Sequence, residues 1–350
     1  MPEPMVQPLV AADADEAAAV LAEAFRTYPT TAWFFDGDAV AREDALAALV
    51  RFFVTARLLR GEPVLGVRHD ARLVAVALVS DPAGGGSPPE LAQEREALWA
   101  RVGQAARGRY EAYGAAVAPL LEEPGSLHVN LVGVHPSGRG RGLARRLFDH
   151  VHALAATISS GRGVSLTTED PANVALYRHL GYEITGSVDV ASGITAWALR
   201  RPVDPLDLAR ALAPRLDGLP WAIGGSVLLR DLGLAVRPRD LDLVTTVERF
   251  DDVAERLGAV LGSGERPAHD TLRSVGFLRF EHGQGPAVDL MAGIRVGVGG
   301  DALDWHLDPA TIECRGGLPW TPAADWLDVY TQLGRHERAA QLRRHLLERR

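Results

Sequence analysis

The chain has 350 residues, and its 37 basic and 45 acidic side chains give a formal net charge of -8 at pH 7. At roughly 100–200 residues per domain, this length predicts two domains. A composition of 47% hydrophobic and 23% charged residues excludes a disordered or fibrous chain, and the negative charge argues against a nucleic-acid-binding protein, which needs a basic surface to neutralise phosphates.

The cellular setting is indicated by three sequence features. Cys314 is the single cysteine, so no intrachain disulfide can form, which is typical of a reducing compartment. Apolar runs such as "AALVRFFVTARLL" are interrupted by Arg, and the beginning "MPEPMVQPLVAADADEAAAV" is acidic instead of having the basic start of a secretory signal. We therefore expect a soluble, cytoplasmic protein that has no membrane partner.

Helical and strand patterns alternate along the first half of the chain, which predicts an α/β (α+β) fold with a mixed sheet and flanking helices. The predicted helices and strands are, in chain order, helix "ADEAAAVLAEAF", strand "ARLVAVALV", a long helical segment "ELAQEREALWARVGQAARGRYEAYGAAVAPLL" interrupted by Gly, strand "SLHVNLVGVHP", helix "GLARRLFDHVHALAATI", strand "GVSLTTE" and the short helix "NVALYRHLGY", which Gly181 ends.

A glycine-rich turn, "VGVHPSGRGRGLARRLFDH", joins one predicted strand to the next helix. It contains Gly138, Gly140 and Gly142, and the helix begins directly after it. Unpaired backbone N–H groups converge at such a helix end, where the partial charge is positive, and Arg139 and Arg141 add full charges. The turn is therefore a candidate binding site for a phosphate or pyrophosphate; the alternative is a merely flexible turn.

The same segment resembles the acetyl-CoA-binding motif of the GNAT acetyltransferase superfamily, which reads Arg or Gln, two residues, Gly, one residue, Gly or Ala. Arg139, Gly142 and Ala144 fill this pattern. The later segment "EDPANVALYRHLGYEI" resembles the next motif of the superfamily, with Asn173 and Tyr177 in the expected order. Together with "AEAFRTYPTTAWFF", the similarity covers most of residues 1–200.

The resemblance implies acetyl-CoA as the cofactor and direct transfer of its acetyl group to an amine. The strand backbone around Val132 and Val134 would pair with the pantetheine arm, and the turn from Arg139 to Ala144, including Gly140 and Arg141, would hold the pyrophosphate. Tyr177 would be the general acid for the departing thiolate, since a tyrosine has a reference pKa of about 10 against about 8.5 for a thiol. The alternative for Tyr177 is a core aromatic residue.

No general base stands out in the first half. His128 and Asn130 project from the strand before the turn, and Glu169 ends the next strand. We expect structural roles for all three side chains.

The segment "ALRRPVDPLDLARAL" marks the domain boundary, because two prolines follow a strand-like stretch and precede a new helical pattern. It predicts one domain over residues 1–201 and a second, smaller α/β domain over residues 202–350.

The second half contains "IGGSVLLRDLGLAVRPRDLDLV", in which Asp240 and Asp242 are two positions apart on a predicted strand. Both carboxylates then point to one face, where they repel each other unless a cation lies between them. Mg²⁺ is the usual cation where phosphates complete the coordination. The preceding Gly224-Gly225-Ser226 turn (224–226) could bring N–H groups against a triphosphate. The alternative is an ordinary surface pair at the end of a strand.

This pattern, with Asp289 in the apolar stretch "AVDLMAG", resembles the signature of the DNA polymerase β-type nucleotidyltransferases, including their antibiotic-modifying and toxin-like branches. The matching residues are Gly225, Ser226, Asp240, Asp242 and Asp289, and the similarity covers roughly residues 205–345. It implies in-line attack of a hydroxyl on the α-phosphate of a nucleoside triphosphate. The metals would stabilise the attacking and leaving oxygens, and Asp289, a metal ligand, would also orient or deprotonate the hydroxyl.

One departure concerns the C-terminal helix, where many relatives have a Lys. This chain has "TQLGRHERAAQLRRHLLERR" there, so Arg335, His336 or Arg338 would have to replace it, although an exposed basic face is the simpler interpretation.

The two resemblances predict an acetyl-CoA-dependent N-acetyltransferase fused to a Mg²⁺-dependent nucleotidyltransferase-like domain, which together modify an amine and a hydroxyl of a small molecule such as an antibiotic. Two alternatives remain for the second half. It could modify a protein or tRNA, as toxin-like relatives do, or it could be an inactive nucleotide-sensing or interaction module.

Overall fold

The computed structural model describes residues 5–35, 39–81, 84, 86–121, 125–158, 161–266, 274–296 and 303–348. The chain folds into two compact units. The first comprises Met1–Ala155 and Arg162–Pro202, and the second comprises Ala156–Gly161 and Val203–Arg350.

In the described part of the first unit, seven strands form one mixed sheet in the order β1-β2-β3-β4-β5-β7-β6. The strands are β1 (Val6–Pro8), β2 (Val64–His69), β3 (Arg72–Ser80), β4 (Leu127–Val134), β5 (Val164–Thr168), β6 (Glu183–Ala191) and β7 (Ile194–Arg201). The helices are α1 (Ala14–Phe25), α2 (Pro29–Phe34), α3 (Ala39–Leu59), α4 (Pro89–Val102), α5 (Gln104–Val117), α6 (Leu143–Ala156) and α7 (Pro171–His179).

These elements confirm the predicted mixed α/β fold. The first predicted helix coincides with α1 over Ala14–Phe25. Gly103 separates α4 from α5 with a φ of 97°, a conformation that glycine adopts readily. Helix α7 begins behind Asp170, whose side chain accepts a hydrogen bond from the Ala172 N–H. Each boundary follows from a local signal, although α7 begins two residues before the predicted start at Asn173.

The core of the first unit places α1 and α3 against the sheet. Leu21 of α1, Val54 of α3 and Leu78 of β3 belong to one hydrophobic cluster, and each is 0% exposed. Burial of such side chains contributes about 1.5–3 kcal/mol each. At Gly133 a Cβ would lie 2.8 Å from the Cβ of Ala24, so α1 lies directly on β4, the strand that carries the candidate site.

In the described part of the second unit, six strands form a sheet in the order β10-β11-β9-β8-β15-β14, and β12 pairs with β13. The strands are β8 (Trp221–Ile223), β9 (Asp240–Thr245), β10 (Gly276–Phe280), β11 (Ala287–Ala292), β12 (Ile294–Val296), β13 (Leu303–Trp305), β14 (Glu313–Arg315) and β15 (Leu318–Trp320). The helices are α8 (Pro205–Leu212), α9 (Gly225–Asp231), α10 (Phe250–Leu261), α11 (Ala323–Gln332) and α12 (His336–Glu348).

Strand β9 has the predicted alternation. Leu241 and Leu243 are 0% exposed in the core of the second unit, whereas Asp240 and Asp242 lie on the other face and are only partly buried. Across the described ranges, we find no helix with the length and apolar character needed to span a lipid bilayer.

Candidate active site

Strands β4 and β5 separate in the middle of the first sheet. Their parallel pairing runs from Leu127 to Val129 of β4, whereas β4 continues to Val134 and pairs there with β3 on its other edge. Val132 and Val134, predicted to contact the cofactor through their backbone, both lie on this continuation. The separation leaves room for a ligand beside the β4 backbone.

A β-bulge marks the point of separation. Val129 pairs with Val79 and Leu131 with Leu78, so Asn130 is the extra residue on β4. The side chain of Asn130 accepts hydrogen bonds from Arg57 Nε (3.0 Å) and from Ser80 Oγ (2.9 Å). Bulges of this kind bend a strand and redirect its side chains, and they occur often beside active sites.

The predicted glycine turn follows β4 directly. Gly140 and Gly142 have φ values of 75° and 71°, and a Cβ at either position would meet no atom within 4 Å. They are therefore required for their backbone conformation, and open space lies beside them. The amide of Arg146 bonds to the carbonyl of Gly142, so α6 starts here and its first N–H groups have no partner within the helix.

The two charged residues of the turn, Arg139 and Arg141, are both exposed, and the guanidinium of Arg141 lies against the ring of His69. Ala144 follows them in the first turn of α6. An open backbone loop with free amides and two guanidinium groups fits the pyrophosphate of acetyl-CoA.

A cavity of about 380 Å³ lies between the separated strands and α1–α3 and α5. Three residues predicted for the site line it, namely Val132, Asn173 and Tyr177. His128, Asn130 and Glu169, for which we expected structural roles, line the same cavity. The structure thus brings a tyrosine, a histidine and a carboxylate to one cavity.

Glu169 is buried, with 8% of its surface exposed. The Tyr113 hydroxyl donates to its Oε1 at 2.7 Å, and its own backbone N–H donates to the Tyr28 hydroxyl at 2.9 Å. Burial raises the pKa of the Glu169 carboxyl, although the hydrogen bonds from Tyr113 and Tyr28 act in the opposite direction. This makes Glu169 a stronger base than an exposed glutamate.

The Tyr177 ring is held by other aromatic rings. It packs edge-on against Phe148 at a centroid distance of 5.5 Å and lies 5.9 Å from the ring of Tyr182. Burial raises the pKa of Tyr177 to about 12, and the negative charges of Glu169 and Asp170 add to this effect. The hydroxyl therefore keeps its proton at neutral pH.

His128 is a neutral group at pH 7. Burial, together with the positive charge of Arg57, lowers its pKa to about 4. Its Nδ1 lies 3.1 Å from Ser165 Oγ. Arg57 itself is paired with Glu62 at 2.9 Å, so its charge is balanced close by.

In the second unit, the Gly-Gly-Ser turn packs against Asp242. The Gly224 N–H donates to the Asp242 carbonyl at 3.0 Å, and a Cβ at Gly225, whose φ is 58°, would lie 1.7 Å from Asp242 Oδ2. The Ser226 N–H also bonds to the Asp242 carboxylate. Burial, together with the negative charges of Asp240 and Asp289, raises the pKa of Asp242 to about 7. The turn therefore directs one amide at the backbone of Asp242 and another at its carboxylate.

The predicted metal ligand Asp289 lies beside Asp242, since the parallel register of β11 and β9 places these two residues opposite each other. Its carboxylate already forms an ion pair, however, because Arg279 Nη1 lies 2.9 Å from both of its oxygens. Arg279 is the direct cross-strand partner of Asp289 on β10, which fixes the guanidinium on the same face.

The predicted Mg²⁺ site of Asp240, Asp242 and Asp289 therefore does not fit the geometry. Among the described residues, no group of three or more His, Cys, Asp or Glu side chains is arranged to hold a metal ion. In the structure, the guanidinium of Arg279 pairs with one of the three carboxylates, that of Asp289.

These carboxylates line a cleft of about 920 Å³ together with Ser226 and several arginines. Arg237 and Arg239 precede β9, and Arg335 and Arg338 come from the C-terminal region proposed to replace the missing Lys. Both of the latter guanidinium groups lie over the Tyr330 ring, at 5.9 and 5.8 Å.

Sequence patterns did not indicate two features of the sites. The partners of Glu169 are Tyr28 and Tyr113, which are 141 and 56 residues away along the chain. Arg279 was also missed, and the only available signal was a charged residue within the apolar strand "GFLRF".

A family model described as acetyltransferase (GNAT) domain matches residues 95–184, about a quarter of the chain. The match contains β4, the glycine turn, α6, β5 and α7, so the first unit contains a GNAT acetyltransferase domain. Among curated proteins, no sequence matches this chain.

Solved structures with similar folds include a Corynebacterium glutamicum protein described as histone acetyltransferase HPA2 and related acetyltransferase (20% identity, 57% of this chain, 96% of that chain, TM-score 0.44). Another is a Drosophila melanogaster polyamine N-acetyltransferase (20% identity, 57% of this chain, 100% of that chain, TM-score 0.38). A Thermotoga maritima protein, provisionally named a nucleotidyltransferase, is 23% identical and covers 41% of this chain and 92% of its own, with a TM-score of 0.32. Similarities at this level say nothing about substrates.

Proposed function

We propose that the first unit is an acetyl-CoA-dependent N-acetyltransferase that acts on an amine of a small molecule. The observation that carries the proposal is the cavity at the separation of β4 and β5. It unites Tyr177, Glu169 and His128 next to the glycine turn.

The residues that would hold the cofactor lie on β4, in the turn after it and at the start of α6. The backbone of Val132 and Val134 is available beside the separated strands, and the amides from Gly140 to Ala144 lie at the start of α6. Arg139 and Arg141 add positive charge to this turn, and Asn173 lines the cavity near Tyr177. When bound, acetyl-CoA supplies an activated acetyl thioester.

The Tyr177 hydroxyl is suited to stabilise the leaving group. Its raised pKa, about 12, keeps it protonated at neutral pH, so it can donate a hydrogen bond to the sulfur as the C–S bond breaks. Full transfer of the proton to a thiolate with a reference pKa of about 8.5 is uphill and occurs only as the thiolate charge develops.

Glu169 is the better of the two candidate bases. Its pKa is raised by burial, whereas the pKa of His128 is lowered to about 4. Because basicity follows pKa, the Glu169 carboxylate is the stronger acceptor for the proton of an incoming ammonium group. We assign His128 to a neutral, hydrogen-bonding role beside it.

We expect Gly142→Val to raise the Kd for acetyl-CoA at least about 10-fold, because a β-branched residue is strongly disfavoured at a φ of 71° and the turn must rearrange. Isothermal titration calorimetry measures this change. Gly193→Val is the matched control, since Gly193 has a φ of 79°, is equally open, and lies in the β6–β7 turn. Equal changes in Kd for both variants would contradict a role of the turn in binding.

For the second unit, we infer a nucleotide-binding module that senses a nucleotide without transferring it. The arginine-rich cleft and the Gly-Gly-Ser turn support nucleotide binding. The pairing of Asp289 with Arg279 favours the sensing alternative over Mg²⁺-dependent transfer to an antibiotic, a protein or tRNA.

If Arg279 takes the place of a metal ion, Arg279→Gln should bind Mn²⁺ at least about 10-fold more tightly than the unaltered chain, because a buried carboxylate without a counter-charge attracts a cation. Electron paramagnetic resonance of free Mn²⁺ measures this binding. Arg249→Gln is the control, since Arg249 forms an exposed pair with Asp252. Transfer of labelled nucleotide by the unaltered chain, abolished by Asp240→Ala and Asp242→Ala, would instead establish an active nucleotidyltransferase.

A further inference from the structure

The cavity beside Tyr177 has an apolar half formed by helices. The side chains of Phe25 on α1, Phe34 on α2 and Leu46, Leu49, Val50 and Phe53 on α3 line it. Leu46, Leu49 and Val50 are at most 5% exposed. This half presents mainly aliphatic and aromatic surface, and the threonines Thr30 and Thr31 of α2 also belong to the lining. A polar group placed against the hydrocarbon side chains would lose its hydration without compensation.

The aromatic part of this wall is a cluster of neighbouring rings. The Phe34 ring lies edge-on to Tyr113 at a centroid distance of 5.6 Å and 6.0 Å from the ring of Tyr110. The Phe53 ring also lies 6.0 Å from the ring of Tyr110. Rings that fix one another in this way form a preformed surface for a flat or branched apolar group.

The opposite half carries one unbalanced negative charge. Arg57 is paired with Glu62, and these two charges cancel. Glu169 receives hydrogen bonds from tyrosine hydroxyls, and no basic side chain of the described ranges forms an ion pair with it. A buried carboxylate without a basic partner is a site for one cation, attracted by its charge.

The size of the cavity limits the acceptor. Its volume of about 380 Å³ corresponds to about a dozen water-sized groups at roughly 30 Å³ each. A polycationic antibiotic exceeds this space. A linear diamine fits, but its second ammonium group would lie in the apolar half without a counter-charge.

The geometry points to a primary amine with a single positive charge and a compact aromatic or branched apolar group as the acceptor of the first unit. Its ammonium group pairs with Glu169, and its apolar group lies against Phe34 and Phe53. This inference rests on the proposed acetyltransferase function and adds the class of substrate.

The test compares four amines with acetyl-CoA as the donor: 2-phenylethylamine, 3-methylbutylamine, putrescine and kanamycin. Release of the CoA thiol measures kcat/KM for each. The first two amines bury an aromatic or branched group in the cavity, whereas putrescine and kanamycin do not. We therefore expect kcat/KM for 2-phenylethylamine and 3-methylbutylamine to exceed that for putrescine and kanamycin at least about 10-fold.

A variant of the apolar wall tests where the substrate ring lies. We expect Phe53→Ala to lower kcat/KM for 2-phenylethylamine about 10-fold and to raise the relative rate with the larger 2-(1-naphthyl)ethylamine, because the cavity is extended. Phe52→Ala is the matched control. Phe52 is the neighbouring, partly buried residue on α3, packs on Phe53 at 6.1 Å, and does not line the cavity.

A binding measurement without acetyl transfer tests the role of the Glu169 charge. Titration of 2-phenylethylamine into the CoA-bound protein should show at least about 10-fold weaker binding to Glu169→Gln, a measurement that does not depend on proton transfer.

The outcomes separate the two levels of the proposal. A chain that does not bind acetyl-CoA overturns the proposed function and the acceptor class with it. If acetyl-CoA binds, the acceptor class alone is overturned by any of three results: putrescine or kanamycin is acetylated as well as 2-phenylethylamine, neither apolar amine is acetylated, or Phe52→Ala and Phe53→Ala act alike.

Discussion

Tyr177→Phe should lower kcat for acetyl transfer by about 10²–10⁴-fold, the contribution of a positioned general acid, while the Kd for acetyl-CoA stays within a few-fold of its original value. The substitution removes the hydroxyl but keeps the ring, which packs on Phe148 and near Tyr182. The variant therefore separates proton donation from packing.

The pH dependence provides a second measurement on the same residue. Because burial and the charges of Glu169 and Asp170 raise the pKa of Tyr177 to about 12, the hydroxyl stays protonated as the pH rises. We expect no loss of kcat from its ionisation between pH 8 and 10. An unshifted tyrosine, with a pKa of about 10, would already be half ionised at the upper end of this range.

The control is Tyr182→Phe. Tyr182 lies in the same aromatic cluster, and its hydroxyl bonds to His152 Nε2 at 2.9 Å, away from the cavity lining. This variant should lose about 1 kcal/mol of stability with kcat unchanged. If Tyr177→Phe keeps kcat within a few-fold, solvent or another residue protonates the leaving group.

The second large effect concerns stability. Gly225→Ala should destabilise the second unit by about 3 kcal/mol. This value lies within the sum, about 2–5 kcal/mol, of about 1–2 kcal/mol for a left-handed backbone and about 1–3 kcal/mol for a displaced polar group. The new Cβ would lie 1.7 Å from Asp242 Oδ2 and 2.4 Å from its Cγ. Asp242 has little freedom to move, because its carbonyl accepts from the Gly224 N–H at 3.0 Å.

Differential scanning calorimetry measures this effect, and a loss of this size lowers Tm by about 6–12 °C for a unit of this length. Gly233→Ala is the matched control, since Gly233 has a φ of 86° and open surroundings in the same unit. It should show only the backbone part of the loss. If the two variants melt together, the turn and the Asp242 carboxylate are not rigidly packed.

Much of the fold was predictable because its signals are local. The helix over Ala14–Phe25, the break at Gly103 and the alternation of β9 each depend on residues within a few positions of one another. The glycine turn belongs to the same class, because positive φ at Gly140 and Gly142 is a property of short backbone segments.

The candidate sites were predictable in part. The motifs indicated Val132, Asn173 and Tyr177, and all three residues line one cavity in the structure. The role of Glu169 was not foreseen, because its hydrogen-bonding partners Tyr28 and Tyr113 come from distant helical segments.

The sequence by itself determined several helices and strands, the positions of both glycine turns and the face on which Asp240 and Asp242 lie, since these properties arise from neighbouring residues. Only the tertiary structure decided which charges meet. The register of β10 against β11 places Arg279 on Asp289, and the packing of α2 and α5 over the sheet encloses Glu169 with aromatic rings. The physical reason is that the strength of an electrostatic contact depends on distance and burial, and both are set by segments that are far apart along the chain.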